Sequence, residues 1–306
     1  MSHDALIIGA GPAGLTAALY LARYRRDVLV VHDGCSRALR IPMTLNAPGF
    51  PDGIQGPELI ERMTRHAEEF GARIETGEVV AIRRTDEGFE AEGADGRRWA
   101  ARAVLLATGV RLNEPDLPWG EHEQAVRDHV LRYCPVCDGF EATGKRLGVL
   151  GCDSNGAAEA LFLKTYAEDV VLMTRDHPEL TPDEAAQLRD AGVRIRPGPL
   201  HHLEPGPETM TVHLEGGETV EVDILYPALG CRPRAELGLA LGLSAGEAGT
   251  LSPLSPFGGE VEGVFAAGDV VEGLDQISVA MGHGAVAATR LHNALRRADD
   301  QVLKPA

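Results

Sequence analysis

Apolar residues gather early in the chain into a short run, Leu6–Ile8, followed at once by glycines and then by a helical stretch. That order predicts a strand, a tight turn and a helix, with a further strand completing a first unit from Asp4 to Asp33. A second copy of the pattern covers Lys145 to Arg175. Its strands are expected at Leu147–Leu150 and Val170–Met173, around a helix beginning near Gly156. In that helix Ala157, Ala158, Leu161, Phe162 and Thr165 recur at helical spacing and predict one buried face. Two such units in one chain predict an α/β protein with two dinucleotide-binding-type (Rossmann-like) domains, each a sheet wrapped by helices. Stretches rich in proline and glycine, Pro197 to Pro207 and Ser252 to Gly259, read as loops.

Length and charge narrow the picture. The 306 residues are enough for two cores, and 46 acidic against 29 basic side chains give a net charge of −17. Such a balance argues against nucleic acid and anionic membranes as partners. No apolar run reaches the length of a membrane span. The largely apolar segment Ala5–Leu21 lacks a basic leader and is interrupted by glycines and a proline, so it is not expected to be a signal peptide. Five cysteines, with only one close pair, fit a cytoplasmic protein rather than a secreted disulfide framework.

Two motifs carry chemistry. Gly9-Ala10-Gly11-Pro12-Ala13-Gly14 follows the first strand and opens the first helix. Gly9 suits the tight turn, Gly11 lets a pyrophosphate approach the backbone at the helix N-terminus, and Gly14 lets strand and helix pack closely. Asp33, next to His32 at the end of the second strand, is the candidate acid for a ribose hydroxyl. The other motif is Cys134-Pro135-Val136-Cys137-Asp138. A CxxC pair reads either as half of a metal site or as a redox pair. Cys35, Cys152 and Cys231 are scattered and offer no second pair of zinc ligands, and Asp138 supplies a proton carrier that a zinc site would not need. Redox chemistry is the better reading, and no metal site is expected. Cys152 and Cys231 read as packed residues, and His201-His202 lacks an acidic or cysteine partner at metal spacing.

The string Cys134–Phe140, the opening Gly9–Arg23 and Phe265–Val270 together resemble the low-molecular-weight thioredoxin reductase family. Asn46 with Pro48-Gly49-Phe50, Gly56–Leu59, Ala107-Thr108-Gly109 and Gln276-Ile277 extend the resemblance over almost the whole chain. It implies a homodimeric flavoprotein with FAD as cofactor and a thioredoxin-like protein or small dithiol/disulfide as partner. The FAD domain would be split, 1–115 and 245–306, around a central nucleotide-binding-like domain, 116–244, that carries the CxxC. By position, Cys137 is similar to the cysteine facing the flavin, Cys134 to the one exchanging with the partner, and Asp138 to the acid–base residue. Asn46, Thr108, Gly268, Asp269, Gln276 and Ile277 match positions at the flavin, while Asp275 replaces an arginine.

The second nucleotide motif departs from that family. It reads Gly151-Cys152-Asp153-Ser154-Asn155-Gly156, with Asp153 where a glycine would meet the pyrophosphate. A carboxylate there would repel a dianion at a cost on the order of several kcal/mol. The stretch Thr174–Glu179 holds one arginine where the family reads the 2′-phosphate of NADPH with several. NAD(P)H is therefore a doubtful donor. The expected activity is electron transfer between FAD and the Cys134/Cys137 pair, with ferredoxin as one candidate donor. A flavin-dependent dithiol oxidase using oxygen, and a flavin redox sensor without turnover, are the alternatives.

Overall fold

The computed structural model describes residues 2–174, 179–252 and 260–303, and statements of absence or number below refer to these. The first part of the chain forms β1 (His3–Ile8), α1 (Pro12–Arg23), β2 (Val28–His32), α2 (Gly56–Glu69), β3 (Arg73–Thr76), β4 (Val79–Thr85), β5 (Gly88–Gly93), β6 (Arg98–Leu106) and β7 (Val110–Leu112). The middle part forms α3 (Trp119–Arg127), α4 (Pro135–Asp138), β8 (Leu147–Leu150), α5 (Ser154–Leu163), β9 (Val170–Met173), α6 (Pro182–Asp190), β10 (Arg194–Arg196), β11 (Leu200–Pro205), β12 (Met210–Leu214), β13 (Thr219–Val222) and β14 (Ile224–Pro227). β15 (Cys231–Pro233), α7 (Glu236–Ala240), β16 (Val264–Ala266) and α8 (Ile277–Ala298) complete it. The fold is the expected α/β class, and both predicted strands of the second unit fall where the apolar runs placed them.

The chain divides into two compact units. Unit 1 comprises residues 1–43, 47–111 and 232–306, and unit 2 comprises 44–46 and 112–231. The expected boundary at 244/245 thus lies inside unit 1. Residues 232–244 belong there because Ala235 and Leu243 are buried in one of its cores and Arg234 bonds Asp33.

In unit 1, β3, β2, β1, β6 and β16 pair in parallel, and β4, β5 and β6 pair antiparallel. The parallel strands are apolar without alternation because both of their faces are covered. Ala5, Ile7, Val28, Val30 and Leu105 pack under α1 and α8 on one face. Leu6, Ile8, Leu29, Val31 and Leu106 enter the other core, with Phe89 and Trp99 of the antiparallel strands. Helices α1 and α8 meet at backbone distance: a Cβ on Gly284 would lie 2.2 Å from the Ala13 carbonyl oxygen.

In unit 2, β10, β9, β8 and β14 form a parallel sheet. The core on one face contains Leu147, Val149, Ala157, Ala160 and Leu163. The other face is covered by the antiparallel sheet β11–β12–β13, through Leu203, Met210, Val212 and Val222. β11 replaces the loop expected at Pro197–Pro207. Leu200 and Leu203 give the segment apolar anchors on the sheet, and a bulge between Leu200 and His202 absorbs its irregular pattern. The expected loop at 252–259 lies, after Ser252, outside the described residues.

The buried face of α5 is also not the predicted one. Gly156, Ala157, Ala160 and Leu163 are buried, whereas Ala158 is exposed and Phe162 is 40% exposed. The smaller residues win because Gly156 must lie against Gly151; a Cβ on Gly151 would stand 3.0 Å from the Gly156 Cα. That contact fixes the helix's rotation before its larger side chains can.

No described helix is long and apolar enough to cross a membrane. The α1–α8 contact yields a paired test. Gly284→Ala must push backbone apart and is expected to cost about 1–3 kcal/mol. Gly282→Ala meets no atom within 4 Å on the same helix, and should gain roughly 0.5–1 kcal/mol from helix propensity. Denaturant melts of the two variants should move in opposite directions, and equal midpoints would contradict the close approach.

Candidate active site

The redox pair sits in unit 2. Cys134 has extended backbone and precedes Pro135, whose fixed φ suits the first position of the short helix α4. The N–H groups of Cys137 and Asp138 both donate to the Cys134 carbonyl, at 2.9 and 3.2 Å. This tight turn brings the two Cα atoms to 5.2 Å, and the cysteines are joined as a disulfide. Gly139 follows because nothing larger fits. A Cβ there would stand 2.6 Å from the Pro135 carbonyl oxygen and 2.7 Å from the Tyr166 ring.

Asp138 is the electrostatic centre of this turn. Burial raises its pKa to about 6, and Glu141 adds to that, against opposing effects from Arg132 and from a hydrogen bond with Tyr226. The fully buried Tyr226 on β14 donates its hydroxyl to Asp138 Oδ1 at 2.9 Å. Burial, and then the neighbouring Asp138 carboxylate, push the tyrosine's own pKa up, so it stays a donor. Arg132 Nη1 lies 3.9 Å from Asp138 Oδ2 and donates to the Asp138 carbonyl at 3.2 Å. The result is a carboxyl group poised to exchange protons near neutral pH. Sequence reasoning found Asp138 but neither of these partners. Tyr226 lies 88 residues further on and comes close only through sheet pairing.

The first glycine motif lies in unit 1 and takes the form its spacing predicts. Gly9 has φ +110°, and a Cβ there would stand 2.2 Å from the Ala107 carbonyl oxygen. A Cβ on Gly14 would stand 1.9 Å from the Gly9 oxygen. Gly11 caps α1 without any side-chain hydrogen bond, and the first turn holds no acid. Pro12 has no N–H, and the side chains of Ala10 and Ala13 can offer no acceptor, so no side chain of the turn competes with an anion for its N–H dipoles. Beside this turn is a cleft of about 440 Å³ lined by Gly9, His32, Asp33, Thr108, Arg111 and Arg234, among others. Bare backbone, an open helix end and a mixed polar cleft fit a dinucleotide such as FAD.

Asp33 is more engaged than the sequence suggested. Arg234 Nη2 donates to its Oδ2 at 2.5 Å and the Cys35 N–H to its Oδ1 at 2.9 Å. Burial alone would raise its pKa, but these two donors outweigh it and hold the group below the usual carboxylate range. Thr108 donates to the Arg234 carbonyl at 2.7 Å, tying the cleft's two walls together.

Beyond β16, Gly268 has φ +80° and leads into Asp269. Burial raises the pKa of Asp269 to about 6, with Asp275 adding to it and Arg37 opposing. Arg37 Nη1 lies 3.1 Å from Asp275 Oδ2 and 3.5 Å from Asp269 Oδ2. Where an arginine is expected at 275 the chain has an acid, and Arg37 brings the cation from the other side. Gln276 and Ile277 begin α8 there, with Ile277 packed on Ala47, Ile54 and Leu59. Asn46 precedes Ala47 in the chain. It belongs to the short segment 44–46 of unit 2, where its Nδ2 reaches the Val136 carbonyl at 3.5 Å.

The second glycine motif keeps its packing and changes its charge. Asp153 is the N-cap of α5, and its Oδ1 accepts from the N–H groups of Asn155 and Gly156, both at 3.1 Å. Half-buried Glu159, one and a half turns on, has its pKa raised to about 7 by burial and then by Asp153. The stretch Arg175–Pro178, which holds the single arginine, lies outside the described residues.

Two minor readings need correction. Cys231 is exposed on β15 rather than packed in a turn. His202 does have partners: His213 is its cross-strand neighbour and Glu204 lies two residues along β11.

Residues 3–284 match the family model described as pyridine nucleotide-disulphide oxidoreductase, and the chain belongs to that family. It is similar to the thioredoxin reductase of Bacillus subtilis (strain 168), at 31% identity over 94% of this chain and 92% of the relative. That of Streptomyces clavuligerus is 32% identical over 99% and 98%. Among solved structures, HlmI superposes with a TM-score of 0.89 at 31% identity, covering 98% of this chain and 94% of that one. Thioredoxin reductase from Streptococcus pyogenes MGAS5005 gives 0.88 at 26% identity, covering 97% and 99%. The chain is thus a thioredoxin reductase-like, FAD-dependent disulfide oxidoreductase.

Tyr226→Phe removes a hydrogen bond that favours ionised Asp138, so the carboxyl pKa should rise further above about 6. Arg132→Gln should move it the same way. The pH profile of thiol–disulfide exchange should shift to higher pH in both variants, and an unchanged profile would remove Asp138 from proton transfer.

Proposed function

We propose that this member of the pyridine nucleotide-disulphide oxidoreductase family passes electrons between FAD and the Cys134/Cys137 pair, and on to a thioredoxin-like protein or small disulfide, without efficient use of NAD(P)H. The observation that carries the last point is the Asp153 cap. A pyrophosphate at α5 would need the amides that this carboxylate already occupies, and would meet its negative charge at contact distance. Glu159 adds a second acid nearby. At the first motif the corresponding amides are open. One chain therefore presents one welcoming and one closed dinucleotide turn.

Bound FAD supplies a two-electron redox centre; the chain's own residues handle sulfur and protons. Gly9 to Gly14 would hold the pyrophosphate, and Asp33, Asn46, Thr108, Gly268, Asp269, Gln276 and Ile277 would hold the rest of the cofactor. In the reducing direction the Cys134 thiolate attacks one sulfur of the partner disulfide, and the partner's other sulfur leaves as a thiolate. Cys137 then attacks Cys134, which expels the second partner sulfur and re-forms the Cys134–Cys137 bond. Two electrons have moved to the partner, and two protons must follow. Asp138, with a pKa of about 6, carries protons to and from these sulfurs.

A donor other than a nicotinamide is then required, either an iron–sulfur protein such as ferredoxin or a dithiol. If a dithiol is the donor, oxygen is the natural acceptor and the net flow runs towards disulfide formation.

Anaerobic titration of the flavoprotein separates these cases. NADPH and NADH should leave the flavin absorbance nearly unchanged, while reduced ferredoxin or a small dithiol should bleach it. Rapid stoichiometric bleaching by either nicotinamide would sink the proposal. Asp153→Gly should free the α5 amides and speed the NAD(P)H response by about tenfold or more, since it removes a like-charge contact, at a folding cost of only a few tenths of a kcal/mol.

A further inference from the structure

We propose that His202, Glu204 and His213 form a binding site for one divalent transition-metal ion of the zinc type on the outer face of the β11–β12 hairpin. Strand alternation builds the site. Leu203, Val212 and Leu214 point into the core of unit 2, so His202, Glu204 and His213 share the opposite face. His202 stands directly across from His213 in the strand register. Glu204 is two residues on, diagonal to His213. The three residues' ligand atoms all lie within 4.8 Å of one another. Tetrahedral zinc with bonds of about 2.0–2.1 Å sets its ligand atoms about 3.3–3.5 Å apart, so to hold one ion the side chains must draw together and the two imidazole planes must turn out of their stack towards a common point.

The side chains already touch one another in pairs. The His202 and His213 rings stack with centroids 3.9 Å apart and 9° between their planes. His213 Nε2 lies 3.0 Å from Glu204 Oε2, and an ion between them would replace that hydrogen bond. His201 Nδ1 lies 2.7 Å from His202 Nδ1. This contact engages Nδ1 of His202 and makes Nε2 the nitrogen left for an ion, with His201 as an outer partner of the kind a metal-bound imidazole uses. The bulge between Leu200 and His202 is what brings two consecutive histidines to the same place. Two imidazoles and one carboxylate select zinc, nickel, cobalt or copper over magnesium or calcium. A fourth position is left for water or another donor.

The test uses the full flavoprotein with Cys134–Cys137 oxidised, its remaining thiols alkylated and bound metal stripped by chelator. Zinc is titrated in competition with a chromogenic chelator, for the parent protein, the His202→Gln/His213→Gln variant and a His66→Gln control. The parent and control should hold one equivalent that the double variant holds at least about tenfold more weakly, with unchanged flavin absorbance in all three. Cobalt in the parent should give weak visible bands without thiolate charge-transfer absorption. Equal zinc affinity in parent and double variant would overturn the proposal. So would failure of the parent to hold zinc at about 0.1 mM.

Discussion

Strand and helix can meet at backbone distance only where no Cβ stands between them, and the two nucleotide-type folds of this chain rest on that condition. Gly14 against the Gly9 carbonyl, and Gly9 against Ala107, set β1, α1 and β6 in one arrangement. Gly156 against Gly151 does the same for β8 and α5. Once these contacts are fixed, the rotation of each helix follows, and with it the residues that become core. In α5 they override the larger apolar side chains, leaving Phe162 partly in solvent. Each contact also sets where a helix N-terminus points, and so where negative charge is attracted.

Shared packing therefore does not mean shared chemistry. At α1 the helix end is capped by a glycine with no side chain to bond the free amides. At α5 the carboxylate of Asp153 satisfies two of them from within. The two turns share their geometry and differ in charge by one side chain. The same division of labour appears at the redox turn. Proline and glycine shape it, and the half-buried Asp138, between Tyr226 and Arg132, sets its charge.

Much of this was legible in the sequence because it is local. The runs Leu147–Leu150 and Val170–Met173 mark strands buried on both faces, the glycine spacing marks the turns, and Cys134–Asp138 marks the redox pair. What could not be read there depends on sheet pairing over long separations. Tyr226 reaches Asp138 from β14, Arg234 reaches Asp33 from β15's far end, and Arg37 balances Asp269 and Asp275. Each joins residues at least 88 apart in the chain. The loop expected at Pro197–Pro207 failed for the opposite reason. Its prolines and glycines are genuine turn signals, but they bracket a strand that pairs with β12 and buries Leu203 in the core. His202 consequently acquired partners that no spacing rule could supply.

Unit 2 is nearly complete by residue 231, whereas unit 1 needs β16 and α8 from the far end of the chain. Translation runs in one direction at roughly 5–20 residues per second. The central unit is thus available to fold while its host is still missing the strand that borders β6 and the helix that covers α1. During that interval α1 can pack on β1 and β2 but lacks α8, and Gly268, Asp269 and Gln276 do not yet exist. A unit assembled from both ends of the polypeptide can close its core only after synthesis is almost finished. The closing of α8 over α1 is therefore among the last steps in assembling the core of unit 1.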